Sequence, residues 1–146
     1  MTPHPAVLIG LEEHALRDRL AGWVRRLGYD ARATADGRET LAWVRTGAFV
    51  ASFLDAGLGA PEGDAVWRVV RPIVGHRLVL MARERNNDLW FEALRSGVGT
   101  VLPLPPEECM VRAALAAVAR PVAWGEGRSP RWAWRDDRDA EHQAAE

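Results

Sequence analysis

The sequence contains no lysine; all 19 of its basic residues are arginine. Any mechanism that needs a lysine amine is thereby excluded. A single cysteine, Cys109, rules out an intramolecular disulfide. No apolar run approaches the roughly 18 residues of a membrane span. Met1 to Pro5 carries no positive charge ahead of an apolar stretch, so it does not read as a secretion signal. A cytoplasmic location, away from membranes, is expected. The four histidines, His4, His14, His76 and His142, lack metal-ligand spacing. The net charge of -1 implies no basic face and gives no case for nucleic acid.

What remains is an ordinary globular composition. The 146 residues favour one domain, and 48% hydrophobic residues suffice for a core. Ala6 to Leu11 is a short continuous apolar run, as in a strand covered on both faces. Leu16, Leu20, Trp23, Val24 and Leu27 recur at helical spacing over His14 to Leu27, and Gly28 stops the pattern. Asp30 to Ala35 alternates, as a strand nearer a sheet edge would. Asp36 and Glu39 stand in capping-box spacing before a helix that Gly47 ends. Phe49 to Leu54 is a second buried-strand run, with Asp55 at its end.

A glycine-rich loop through Gly63 leads to a short helix over Asp64 to Val70, closed by Pro72. Arg77 to Ala82 is a fourth strand. Asn87 is placed to cap a helix with Leu89, Trp90, Ala93 and Leu94 on its inner face. Thr100 to Leu102 is a brief fifth strand, and a last helix runs from Pro106 and Glu107 to about Ala119. Five strands alternating with five helices imply parallel βαβ units. Right-handed crossovers favour an α/β flavodoxin-like fold, three layers with strand order 2-1-3-4-5.

In such sheets ligands bind beyond the carboxyl ends of the strands, where strand order reverses. Leu11, Glu12 and Glu13 follow the first strand, and Asp55 ends the third. Glu12, Glu13 and Asp55 form a weak candidate Mg²⁺ site, because a hard cation prefers oxygen ligands. A carboxylate at that place can also attack phosphorus to give an acyl phosphate. The plainer alternative is that Asp55 caps a turn and the glutamates cap the first helix.

The ordered segments VLIGLEEHALRDRL, WVRRLGYDARATADGRETL, FVASFLDAGL, LVLMAR and ALRSGVGTVLPLPPEE resemble the receiver domains of two-component response regulators, over residues 6 to 119. The resemblance implies a histidine kinase, a phosphotransfer protein or another regulator as partner. It implies a signalling face formed by the fourth helix, fifth strand and fifth helix, and leaves a homodimer through that face open. It places the phospho-acceptor at Asp55. The family's acidic pair falls on Leu11 and Glu12, or on Glu12 and Glu13 if the register slips by one. The family's Ser/Thr position is Met81, its lysine is Leu104, and its switch aromatic is Val101, whereas Ala82 and Pro105 are kept.

Leu11, Met81 and Leu104 are therefore degenerate positions. They weaken Mg²⁺ binding, remove a hydroxyl donor and remove a fixed cation. Arg83 or Arg85 could reach in as a substitute, against the simpler reading of both as solvated loop residues. The expectation is a pseudo-receiver, not an enzyme, that signals through protein contacts; a phospho-acceptor working at Asp55 is the alternative. A flavodoxin is disfavoured because GLEEHA would repel phosphate, and a dehalogenase-type phosphatase because Gly57 stands where a second aspartate is needed.

Residues 1–119 thus read as the receiver-like domain and 120–146 as a C-terminal tail, rich in charge, expected to be flexible. Trp124, Trp132 and Trp134 in that tail serve no core of their own and are candidates for docking. Trp23, Trp43, Trp67 and Trp90 fall on helices and read as packing residues, with Trp67 and Trp90 as docking candidates should they be exposed. Cys109 reads as an inert core residue.

Overall fold

Two apolar strands lie side by side at the centre of the molecule. They are β1 (Ala6–Gly10) and β3 (Phe49–Asp55), seen in a computed structural model that describes residues 5–83 and 87–119. Around them run α1 (His14–Arg26), β2 (Asp30–Thr34), α2 (Gly37–Thr46), α3 (Val66–Val74), β4 (Leu78–Ala82), α4 (Asn87–Arg95), β5 (Thr100–Pro103) and α5 (Glu108–Val118). A 3₁₀ turn, Gly75–Arg77, precedes β4. All the strand pairings are parallel, and the order is β2-β1-β3-β4-β5. The expected flavodoxin-like α/β architecture is therefore the one observed.

The strands are apolar on both sides because helices cover both sides. On one face Val7, Ile9, Phe53, Val79 and Met81 pack with Leu16, Leu20 and Val24 of α1 and Val111, Leu115 and Val118 of α5. On the other, Leu8, Leu54, Leu78 and Leu80 pack with Leu41 of α2, Trp67 and Val70 of α3 and Ala93 of α4. β4 is buried at every position, whereas the edge strand β2 alternates, as its sequence does.

Several local expectations are corrected. The capping box closes through an intermediary. The Asp36 carboxylate accepts from the Arg38 N–H as planned, but Glu39 reaches back to the Thr34 hydroxyl, which in turn accepts from the Asp36 N–H. The third helix begins later and ends later than its sequence suggests. Asp64 caps the Ala65 N–H within a turn, so helix starts at Val66. Pro72 lies inside the last part of α3, where it forfeits one N–H bond without stopping the chain. Gly75, at φ 58°, is what ends the helix.

Asn87 is the first residue of α4 and not its cap. Leu94 is not on the inner face: it follows the fully buried Ala93 by one residue, about 100° around the helix, and is 51% exposed. Cys109 is exposed, because it precedes the inner stripe that starts at Val111. Trp67 is completely buried and is a core residue.

Helix α4 offers little else to the core: Ala93 is its one fully buried residue. Arg68 compensates. Its guanidinium donates two bonds of 2.9 Å to the Glu92 carboxylate and one of 3.3 Å to Asp64, tying α4 to α3. The bond from Arg68 holds the Glu92 carboxyl below its ordinary value, against a smaller opposing effect of burial.

Replacing Trp67 with alanine should cost about 3–5 kcal/mol in chemical denaturation, as for a large core aromatic. Arg68→Ala should cost about 1 kcal/mol or less, because the pair is partly solvated. Its mark should be faster amide exchange confined to α4. Since Glu92 is depressed in the folded state, this contribution is present above its unfolded value of 4.5 and fades as pH falls below it. The difference between wild type and Arg68→Ala should accordingly shrink in acid.

Candidate functional site

The site forms where the chain leaves the carboxyl ends of β1, β3 and β4. Alternation along β3 places Asp55 on the same face as Ala51 and Phe53, the face covered by α1 and α5. Asp55 pairs in register with Met81, and the next residue, Ala56, donates its N–H to the Met81 carbonyl at 2.8 Å. One Asp55 carboxylate oxygen, Oδ1, accepts the Gly57 N–H at 2.8 Å, which turns the chain away from the sheet.

The loop after β1 is held from below. The Leu11 N–H donates to the Thr34 carbonyl at 3.0 Å. The Arg17 guanidinium donates to the carbonyls of both Leu11 and Glu12 at 2.9 Å. Leu11 is thereby turned into the core, fully buried, and the two glutamates after it are presented outward.

Glu12, Glu13, Asp55, Gly57, Arg83 and Leu89 line an open depression of about 650 Å³. The residues predicted from sequence are thus brought together, and the acidic pair facing Asp55 is Glu12 with Glu13. Among the described residues Arg83 is the one cation in this lining, and its guanidinium lies 3.8 Å from the Glu13 carboxylate. Ala82 also lines the depression. Leu104 adjoins it in the chain fold, donating its N–H to the Ala82 carbonyl at 2.9 Å, and the Leu104–Pro105 peptide is cis.

The floor beneath these groups is apolar. Leu11, Met81 and Leu104 belong to one buried cluster on the same face of the sheet as Asp55, and each is at most 4% exposed. A thioether and an isobutyl group, not a hydroxyl or an ammonium, stand at the last two positions.

The carboxylate oxygens suit a hard cation such as Mg²⁺ in kind. Among the described residues no three acidic, histidine or cysteine side chains form a group that could hold a metal ion. Asp55 is turned to the Gly57 N–H, and Glu13 is turned to Arg83.

Arg85 and the tail tryptophans Trp124, Trp132 and Trp134 lie outside the described residues. Two contributors escaped the sequence reading. Arg17, given no role there, secures the loop that carries the glutamates. Leu89 was read as an inward core residue of α4, yet it borders the depression. Its place in the first turn of that helix was the available signal.

No known family profile and no curated protein matches this chain. Solved structures do. A two-component response regulator from Clostridium difficile superposes with a TM-score of 0.70 at 19% identity, covering 80% of this chain and 96% of that one. The chemotaxis response regulator CheY4 of Vibrio cholerae gives 0.67 at 20% identity, covering 79% and 98%. The receiver domain of the Francisella response regulator 1452 gives 0.68 at 18% identity, covering 80% and 98%. The strand order agrees with these likenesses: the chain has the fold of the CheY-like response-regulator receiver domains.

Proposed function

We propose that the protein is a receiver-like signalling module of a two-component phosphorelay system, acting mainly through protein contacts, with phosphorylation at Asp55 impaired. One observation carries this reading. The side chains of Leu11, Met81 and Leu104, in the core cluster on the Asp55 face of the sheet, are buried and apolar. A phosphoryl group on Asp55 would bring a dianion to that apolar floor. Such a charge needs donors or cations to replace its hydration. In phosphoryl transfer those groups are most of the catalysis, because the protein works by positioning and by neutralising charge. Among the described residues the one cation lining the depression, Arg83, is already beside Glu13.

Mg²⁺ binding is weakened by the same arrangement, since two of the three candidate carboxylates have other partners. The partner is a histidine kinase, a phosphotransfer protein or another regulator. The role is that of a binding module and not of an enzyme. A phospho-accepting regulator is the second reading. It draws on the placing of Asp55 with Glu12 and Glu13 at the mouth of the depression.

Incubation with Mg²⁺ and a small phosphodonor should leave the intact mass unchanged, and partner binding should survive Asp55→Ala. Stoichiometric gain of one HPO₃ group, lost in Asp55→Ala, would overturn the proposal in favour of the second reading. The double variant Met81→Thr with Leu104→Lys should acquire labelling that wild type lacks. A separate titration monitored by tryptophan fluorescence should find Mg²⁺ binding only in the millimolar range or weaker, near the weak end for carboxylate sites at about 10⁻³ M. Arg83→Ala should tighten it by freeing Glu13.

A further inference from the structure

Helix α4 is the last helix of its layer. Its Glu92 flank is bound to α3 by Arg68, and its inner face carries Leu89, Trp90 and Ala93. On the flank away from α3 stand Phe91, 64% exposed, and Leu94, 51% exposed. They are three residues apart and so adjoin on the helix surface. With Ile73 they are the large apolar side chains that the described residues leave open to solvent. The strand beneath, β5, is a sheet edge, so no further element of the sheet covers this flank.

The chain itself passes nearby. Helix α5 ends at Val118, whose side chain packs so closely on Gly99 that a Cβ there would stand 2.6 Å from Val118 Cγ1. Gly99 lies two residues beyond the glycine that follows α4, and immediately before β5. Ala119, which follows α5, therefore lies at the same end of the sheet as the last turn of α4, where Leu94 is. Trp124 is five residues beyond Ala119, a reach of up to about 17 Å in extended chain. All of α4 is about 14 Å long, for nine residues. Trp132 and Trp134 follow within the same segment, so three indole rings are within reach of an apolar pair that needs cover.

We infer that the tail segment 120–146 docks its tryptophans on the Phe91–Leu94 flank of α4 in the same molecule. Aromatic rings suit this surface: they offer large apolar area at small entropic cost. A segment covalently joined to its site also binds at a high effective concentration, which favours it over a second copy of the chain. Docked there, the tail would cover the α4 flank, and partners would gain that surface only by displacing it. The inference goes beyond the proposed signalling role and does not depend on the chemistry at Asp55.

The test uses the full chain labelled with ¹⁵N-tryptophan, its indole N–H signals assigned by single Trp→Phe variants. Signals of Trp124, Trp132 or Trp134 are expected away from the free-indole position and unchanged on dilution. In Phe91→Ser/Leu94→Ser they should collapse to the free position, while those of Trp23, Trp43 and Trp67 stay fixed. Both substituted side chains are exposed, so the fold is retained, and the fixed core signals check it. Tail signals already at the free position in wild type would overturn the inference. So would shifts that persist in the double variant, which place the tail elsewhere. Shifts lost on dilution would overturn it too, because a second copy would then be the occupant.

Discussion

The central pair β1 and β3 must be apolar on both sides, and most of the structure follows from that requirement. A strand buried on both faces needs a helix layer above and below. Parallel neighbours then need a crossover each, and the crossovers supply those helices. Alternation along the strands decides which layer each side chain meets. Val7, Ile9 and Phe53 meet α1 and α5, whereas Leu8 and Leu54 meet α2 and α3. Asp55 inherits its direction from this alternation. It is the residue after Leu54 and so faces the α1 and α5 side, just where the chain emerges from the core.

Strand alternation also sets what surrounds the site. The same alternation that brings Asp55 to the mouth of the depression brings Leu11, Met81 and Leu104 to the face below it. Polar side chains there would support a charged group on the carboxylate. Apolar ones extend the core up to it instead. The rim, in contrast, keeps Glu12, Glu13 and Arg83, which are solvated and neutralise one another in part. The strand scaffold that aims Asp55 is in place, and the neighbouring positions on its face of the sheet are apolar. The two helix layers also differ in how firmly they hold. Helix α5 buries four residues, whereas α4 buries one and leans on the Arg68–Glu92 pair.

The strands, the helix count and the sheet order were legible in the sequence because each rests on local signals: apolar runs, helical spacing, and glycine or proline at the ends. Asp55, Glu12 and Glu13 could be located from the same signals, since loops at the switch point follow from strand order. Errors came where a local signal met a competing contact. Pro72 looked like a stop, but near the end of a helix it costs a single N–H bond. Leu94 looked inward from its spacing to Trp90, but Ala93 set the inner face. Cys109 looked buried because its helix is apolar, although it precedes the buried stripe.

The sequence by itself determined the architecture and the identity of the residues gathered at the site, because alternation and helical periodicity act over a few neighbours. Only the tertiary structure decided which acids face Asp55. The one-residue choice between Leu11–Glu12 and Glu12–Glu13 depends on how the loop leaves β1. That path is set by Arg17, reaching back to the carbonyls of Leu11 and Glu12, and by the Leu11 N–H, bound to Thr34 of the neighbouring strand. The Arg83–Glu13 pairing and the exposed flank of α4 were likewise decided there, because each joins or leaves open elements that are distant in the chain.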